Sequence, residues 1–181
     1  MTNNSTFEIM NAEEILAKLV SFPVLGGESN LSIIHWIKDY LAEHGIQGVL
    51  VPNEEGTKAS LHCRIGPVVA GGVILSGHTD VVPVEGQDWS TEPFDLIDKA
   101  DGKLYSRGSC DMKGFIAATL AAVPTMVNQR LQTPLHLAFS YDEEIGCVGA
   151  KDMVEKLKLM EVKPKLGVIG EPTLMQSIVG H

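Results

Sequence analysis

The stretch GGVILSGHTD, residues 71–80, sets a glycine-flanked apolar run directly before a histidine and a carboxylate. A run without polar alternation, bounded by glycine, has the pattern of a central strand buried on both faces. In open α/β sheets, ligands and catalytic groups gather beyond the carboxyl ends of strands. His78 and Asp80 stand at such an end.

Two further apolar runs stop in the same way. PLHLAFSY is followed by Glu143 and Glu144 in the segment DEEIG, and KLGVIG is followed by Glu171. Another acid, Asp111 in GSCDMKG, opens the alanine-rich segment DMKGFIAATLAAVPTMV, which reads as a helix that Pro124 bends or ends. GAKDMVEKLKLM reads as the next helix. The order strand, helix, strand, helix, strand predicts an α/β fold, a mainly parallel sheet with helices on both faces.

Upstream, Asn11 is placed to cap a helix through AEEILAKLV. Asn30 precedes LSIIHWIKDYLAEH, where Ile33, Ile34, Ile37 and Leu41 repeat at helical spacing and Gly45 supplies the stop. His35 and His44 on that helix read as ordinary surface or packing residues. IQGVLVP and ASLHCRI read as strands separated by NEEG, with His62 on the face opposite the core. His136 reads as a side chain tucked beneath a helix. A long loop from Val82 to about Lys99 carries Pro83, Gly86, Trp89 and Pro93.

Composition narrows the function. A chain of 181 residues fits one domain and can bury a core. Its 14 Lys and Arg against 23 Asp and Glu, a net charge of −9, give no basic footprint for nucleic acid. The three cysteines are widely spaced and form no CxxC pair, so neither a disulfide framework nor a thiolate zinc site is expected. No apolar stretch is long enough to span a bilayer, and the start lacks a basic-then-apolar leader pattern. Neither GxGxxG nor GxxxxGK[ST] is present, which argues against a nucleotide-binding domain. A reduced, cytoplasmic enzyme is the expectation.

Carboxylate and imidazole groups without thiolates suit a catalytic zinc or cobalt site. Residues two apart on a strand point the same way, so His78 reads as a ligand and Asp80 as the carboxylate that orients it. Asp111 is placed either to cap the following helix or to bridge two cations. Glu143 and Glu144 project differently, so one can bind metal while the other moves protons; the alternative is a solvated strand end. Glu171 precedes Pro172 and is otherwise a turn residue.

Together, SGHTDVVPV, GKLYSRGSCDMKG, SYDEEIGCVGA and IGEPT resemble the zinc-dependent aminoacylase and carboxypeptidase superfamily, most closely its acetylornithine deacetylase branch, from about Asn30 onward. The resemblance implies a zinc-peptidase-like catalytic domain with two zinc ions about 3.5 to 4 Å apart, or cobalt in their place. It implies that His78 and Glu171 bind one zinc, Glu144 the other, and Asp111 both. Asp80 would support His78, and Glu143 would be the general base. A cis Asp111–Met112 peptide is also implied. The implied reaction takes a small N-acyl amino acid, N2-acetyl-L-ornithine, to ornithine and acetate in arginine biosynthesis, in a protein that is a homodimer when complete and needs no nucleic acid or membrane.

Members of that superfamily run to roughly twice this length, with a smaller inserted domain and a late His that completes the second zinc site. The expectation is therefore that residues 1–181 are the first part of the catalytic domain, incomplete at the C-terminus, with the inserted dimerisation domain and the remainder absent. His181 reads as the start of the link into the inserted domain. An uncovered side of the sheet and poor solubility follow. Succinyl-diaminopimelate desuccinylase and general aminoacylase are alternatives of the same chemistry; a non-catalytic truncated remnant is the alternative of another class.

Overall fold

Asn11 begins the first helix, α1 (Ala12–Val20), with a capping box. Its side-chain oxygen accepts the N–H groups of Glu13 and Glu14 at 2.9 and 3.0 Å, and the Glu14 carboxylate accepts the Asn11 N–H at 2.8 Å. The structure, a computed structural model, describes residues 9–179, so the expectation for His181 lies outside the described residues. The second helix, α2 (Leu31–Glu43), buries Ile33, Ile34, Ile37 and Leu41, as their spacing requires. The strands β1 (Val49–Pro52), β2 (Ala59–Ile65) and β3 (Val73–His78) follow. Within and after the long loop lie two short strands, β4 (Ile97–Asp98) and β5 (Leu104–Tyr105), paired as a small hairpin. Then come α3 (Lys113–Asn128), β6 (Leu135–Ser140), α4 (Val148–Lys158) and β7 (Leu166–Ile169).

The main sheet has the order β1-β2-β6-β3-β7. β3 is parallel to β6 and to β7, with His78 opposite Ser140 and Ser76 opposite Ile169. β2 is antiparallel to both β6 and β1. The sheet is thus mixed: its site-bearing strands are parallel because α3 and α4 provide crossovers, whereas the short turn between β1 and β2 returns the chain directly.

α2 and α3 cover one face, with α1 packed on α3, and Leu61, Cys63, Ile65, Leu137 and Phe139 complete a single core there. α4 lies on the opposite face, where the Ser60 hydroxyl donates to the Gly149 carbonyl at 3.2 Å. His62 and His136 belong to that second face, as the alternation predicted, and both are buried beneath α4, as expected for His136. Their rings stack with centroids 5.3 Å apart, and burial first, then the charges of His136, Arg64 and Lys156, hold His62 down at about 4. The pair is packing, and among the described residues neither ring has an acidic partner. β3 is an interior strand, but only Gly77 and His78 are fully buried. α4 sits over β2 and β6 and leaves an apolar groove lined by Ile74, Ala138, Met153, Val154, Leu157 and Ile169. β7 is an open edge whose residues are all exposed, Ile169 by 68%. Such an edge is a template for association.

α3 continues through Pro124 to Asn128, so of the two outcomes expected there, a bend or an end, the end does not occur. Proline lacks the N–H that the carbonyl four residues earlier would accept. That carbonyl, on Leu120, is met by the Tyr40 hydroxyl from α2 at 3.2 Å. Tyr40→Phe should therefore cost about 1 kcal/mol in urea unfolding. In a Pro124→Ala background, where an N–H is restored within the helix, the same substitution should cost measurably less. Equal losses in both backgrounds would show that the hydroxyl does not serve that carbonyl.

Candidate metal centre

The parallel pairing of β3 with β6 brings two strand ends together. Thr79 locks them: its N–H and its hydroxyl both donate to the Ser140 carbonyl, at 3.0 and 2.9 Å. Asn30 secures the same junction from α2's start. Its amide donates to the Ala59 carbonyl at 2.8 Å and to the Thr79 hydroxyl at 3.1 Å, and its oxygen accepts the Ala59 N–H at 2.9 Å. Asn30 makes no side-chain cap to α2.

Asp80 is the hub of this junction. Its main-chain carbonyl lies 2.9 Å from His78 Nδ1, whereas its carboxylate oxygen is 3.6 Å away, beyond good hydrogen-bond distance. The two carboxylate oxygens instead accept the N–H groups of Glu143 and Glu144, each at 3.1 Å. Asp80 thus orients His78 chiefly through its backbone and the glutamate pair through its side chain. Burial would raise its pKa, but the hydrogen bonding and charge of His78 and the two N–H groups outweigh burial and hold it below the usual value. Because a carbonyl can only accept, Nδ1 carries the proton in this contact, and a neutral His78 presents the lone pair of Nε2 to the site.

Around Nε2 stand Asp111 Oδ1 at 3.2 Å, Glu171 Oε1 at 3.7 Å and Glu143 Oε2 at 3.8 Å. Potential ligand atoms of His78, Glu143 and Glu171 lie within 4.8 Å of one another, as do those of His78, Asp111 and Glu144. The fold therefore gathers all the acids singled out in the sequence around one imidazole. The grouping puts Glu143 with His78 and Glu171, and Glu144 with Asp111.

Among the described residues, no Lys or Arg forms an ion pair with these four carboxylates. Burial raises the pKa of Glu144 and of Glu171, and like charges, Asp111 and Glu143 for both, push the same way. Burial depresses His78, but hydrogen bonding to Asp80 and the charges of Asp80, Glu171 and Glu143 carry it up to about 9. A proton on the imidazole or a bound cation relieves the same repulsion. A donor set of one imidazole and several carboxylates fits zinc or cobalt.

Local backbone explains how the acids reach this point. Gly77 and Gly170 immediately precede His78 and Glu171, and both face the start of α3. A Cβ at Gly77 would lie 3.0 Å from Met112 Cε, and one at Gly170 would collide with the Phe115 ring. α3 starts at Lys113, so Asp111 is not its N-cap and is free to face the site; the Asp111–Met112 peptide is cis. Lys113 is fully buried and donates from Nζ to the Phe22 carbonyl at 2.8 Å. Asp142 pairs with Lys58 and accepts the Gly27 N–H at 2.9 Å. In the sequence Lys113 stood only as part of the DMKG motif and Asp142 only as a neighbouring acid, while Asn30 stood at a helix start.

The model for peptidase family M20/M25/M40 matches residues 74–180. An acetylornithine deacetylase of Pasteurella multocida is 35% identical over 155 residues, covering 85% of this chain and 39% of that protein. The chain thus spans 39% of the length of that curated relative. Among solved structures, an M20 family metallo-carboxypeptidase from Sulfolobus solfataricus shares the fold at 23% identity and a TM-score of 0.75, over 89% of this chain and 37% of that one. Human carnosine dipeptidase 1 superposes with a TM-score of 0.67 at 27% identity, over 79% of this chain and 34% of that one. The matched segment contains every strand end and turn that feeds the acidic cluster, and with more than half the chain inside it this protein belongs to peptidase family M20/M25/M40.

Proposed function

We propose that this chain supplies the metal-binding residues of a two-zinc amide hydrolase that converts N2-acetyl-L-ornithine to ornithine and acetate, in the cytoplasm, as a step of arginine biosynthesis. The observation that carries the reading is the convergence of Asp111, Glu143, Glu144 and Glu171 on His78 at adjacent strand ends without a basic partner among the described residues. The choice of substrate is supported by the identity with the Pasteurella multocida deacetylase. By the same resemblance, the complete protein is a homodimer and residues 1–181 belong to its catalytic domain.

In this reading His78, Asp111, Glu144 and Glu171 would hold the zinc. Bound zinc supplies Lewis acidity at the scissile carbonyl and lowers the pKa of water toward neutrality. Glu143 takes a proton from the attacking water as its oxygen bonds to the acetyl carbon. It then delivers that proton to the amine nitrogen as the C–N bond breaks. The Cys147 thiol donates to Glu143 Oε1 at 3.3 Å, which leaves Oε2 on the side of His78. Asp80 keeps Glu143 and Glu144 in register with His78. A desuccinylase or a general aminoacylase would use the same residues, and comparing turnover of N-acetyl and N-succinyl substrates separates them.

In a polypeptide that turns over acetylornithine, Glu143→Gln should lower kcat by about a hundredfold or more while zinc content is unchanged. Turnover within a few-fold of the parent would remove Glu143 from proton transfer. Asp80→Asn loses one of the two carboxylate acceptors, and in this chain zinc affinity should fall by about 10- to 100-fold in competition with a chromophoric chelator. His78→Ala should weaken it further. Unaltered zinc uptake in both variants would mean that the cation binds elsewhere.

A further inference from the structure

Beyond its part in packing, the His62–His136 pair is a titratable group that the proposed reaction does not use. His62 Nε2 and His136 Nδ1 lie 3.1 Å apart, so one of the two nitrogens donates and the other accepts. His136 is fully buried, and its remaining nitrogen, Nε2, has no hydrogen-bond partner among the described residues. The charges acting on the pair from the elements around it are all positive: Arg64 on β2 acts on both rings, and Lys156 on α4 acts on His62. Elsewhere on α4, Asp152 accepts the Tyr141 hydroxyl at 2.7 Å, Glu155 pairs with Lys158, and Lys151 is exposed. β1 carries no titratable residue, and β3 carries none before His78 at its end. A proton added to either ring therefore creates a buried cation with no acid to meet it, and a second proton leaves two N–H groups aimed at each other.

Of the four helices, α4 has the fewest buried residues, Gly149 and Met153, and the apolar groove runs along its side. α1, α2 and α3 pack on the opposite face, so α4 can lift without opening the main core. Its first turn is also the end of the segment that carries Glu143 and Glu144. The N–H groups of Gly146 and Cys147 donate to the Glu143 carbonyl, each at 2.9 Å, and those of Val148 and Gly149 donate to the Asp142 and Tyr141 carbonyls at 3.0 and 3.1 Å. A displaced α4 pulls on that winding, and through it on the two N–H groups that Asp80 accepts.

We propose that the His62–His136 pair is a proton-operated latch: below neutral pH, proton uptake by the pair lifts α4 from the sheet and slackens the turn that presents Glu143 and Glu144. That the latch regulates a hydrolase rests on the function proposed above. Burial is the larger cause for both rings and lowers their pKa, His62 from 6.5 to about 4. A histidine held down in this way contributes stability that is complete above pH 6.5 and is lost as the pH falls toward 4. The raised pKa values of His78, Glu144 and Glu171 act in the opposite sense over that range.

Amide hydrogen exchange of the metal-free chain, corrected for the intrinsic effect of pH on exchange, reads the latch without reference to catalysis. If His62 alone takes up its proton when α4 opens, opening should be about 30-fold more frequent at about pH 5 than at about pH 7.5. The amides of α4, Glu143 and Glu144 should share that rise, while those of α2 stay within about threefold. A His62→Phe/His136→Phe double variant, which cannot take up the proton, should lose the rise. Where that variant fails to fold, the ring ¹⁵N signals of the unaltered chain decide: proton uptake by both rings well below 6.5, together with the α4 rise, supports the latch, and uptake near 6.5 with α4 still protected overturns it. An equal rise in α2 and α4, or an α4 rise that survives in the variant, overturns it as well. Zinc titration at about pH 7.5 keeps the two readings separate: an α4 response without zinc binding sinks the hydrolase and retains the latch, and the reverse sinks the latch alone.

Discussion

The arrangement depends on one buried carboxylate. Asp80 accepts the backbone N–H groups of two consecutive glutamates while its own carbonyl fixes the imidazole two residues earlier. This ties the end of β3 to the end of β6 with charge-assisted hydrogen bonds, which are stronger than neutral ones. The parallel register makes the tie possible, since His78 already stands beside Ser140. With that tie in place, the directions of His78, Glu143 and Glu144 are no longer independent. Asp111 and Glu171 are then aimed by the turn before α3 and by the two glycines that let α3 approach the sheet.

Electrostatics works against this geometry. Four carboxylates crowd one imidazole, and Glu144 and Glu171 are harder to ionise for it. The fold sustains the crowding by placing neutral or fully occupied groups around it. Lys58 is committed to Asp142, and Lys113 donates to a backbone carbonyl. Neither is spent on neutralising the cluster, so its negative potential remains available to a cation.

Much of this was legible in the sequence because apolar runs mark strands and the acids follow them directly. The strands ending at His78, Ser140 and Ile169 lie side by side and parallel, and α1 and α2 begin and end close to where their caps and periodicity put them. Tertiary partners account for what was not legible. Pro124 looked like a bend or a stop because local rules cannot supply the hydroxyl of Tyr40. Asn30 stood in the sequence only as the residue before a helix, but its acceptors and donors come from β2 and from Thr79. Alternation placed Asp80 on the same side as His78 without revealing that its carboxylate serves the glutamates. The antiparallel pairing of β2 with β6 also lies beyond any periodicity, since it joins segments far apart in the chain. The face of β3 left open by α4 could not be read from its apolar sequence alone.

The side chains of the centre come from four separate segments, beginning at His78 and ending at Glu171. None of these contacts is local, and the loop-closure entropy of long-range strand pairing must be met before any of them forms. The unfolded chain therefore has no pocket in which a cation can gather its ligands, and assembly of the centre follows the parallel pairing of β3 with its two neighbours. A cation held there acts on folding solely by favouring the native state in proportion to its concentration. Occupancy and fold integrity become a single equilibrium, and scarcity of metal would be felt as a loss of folded chain as well as a loss of chemistry.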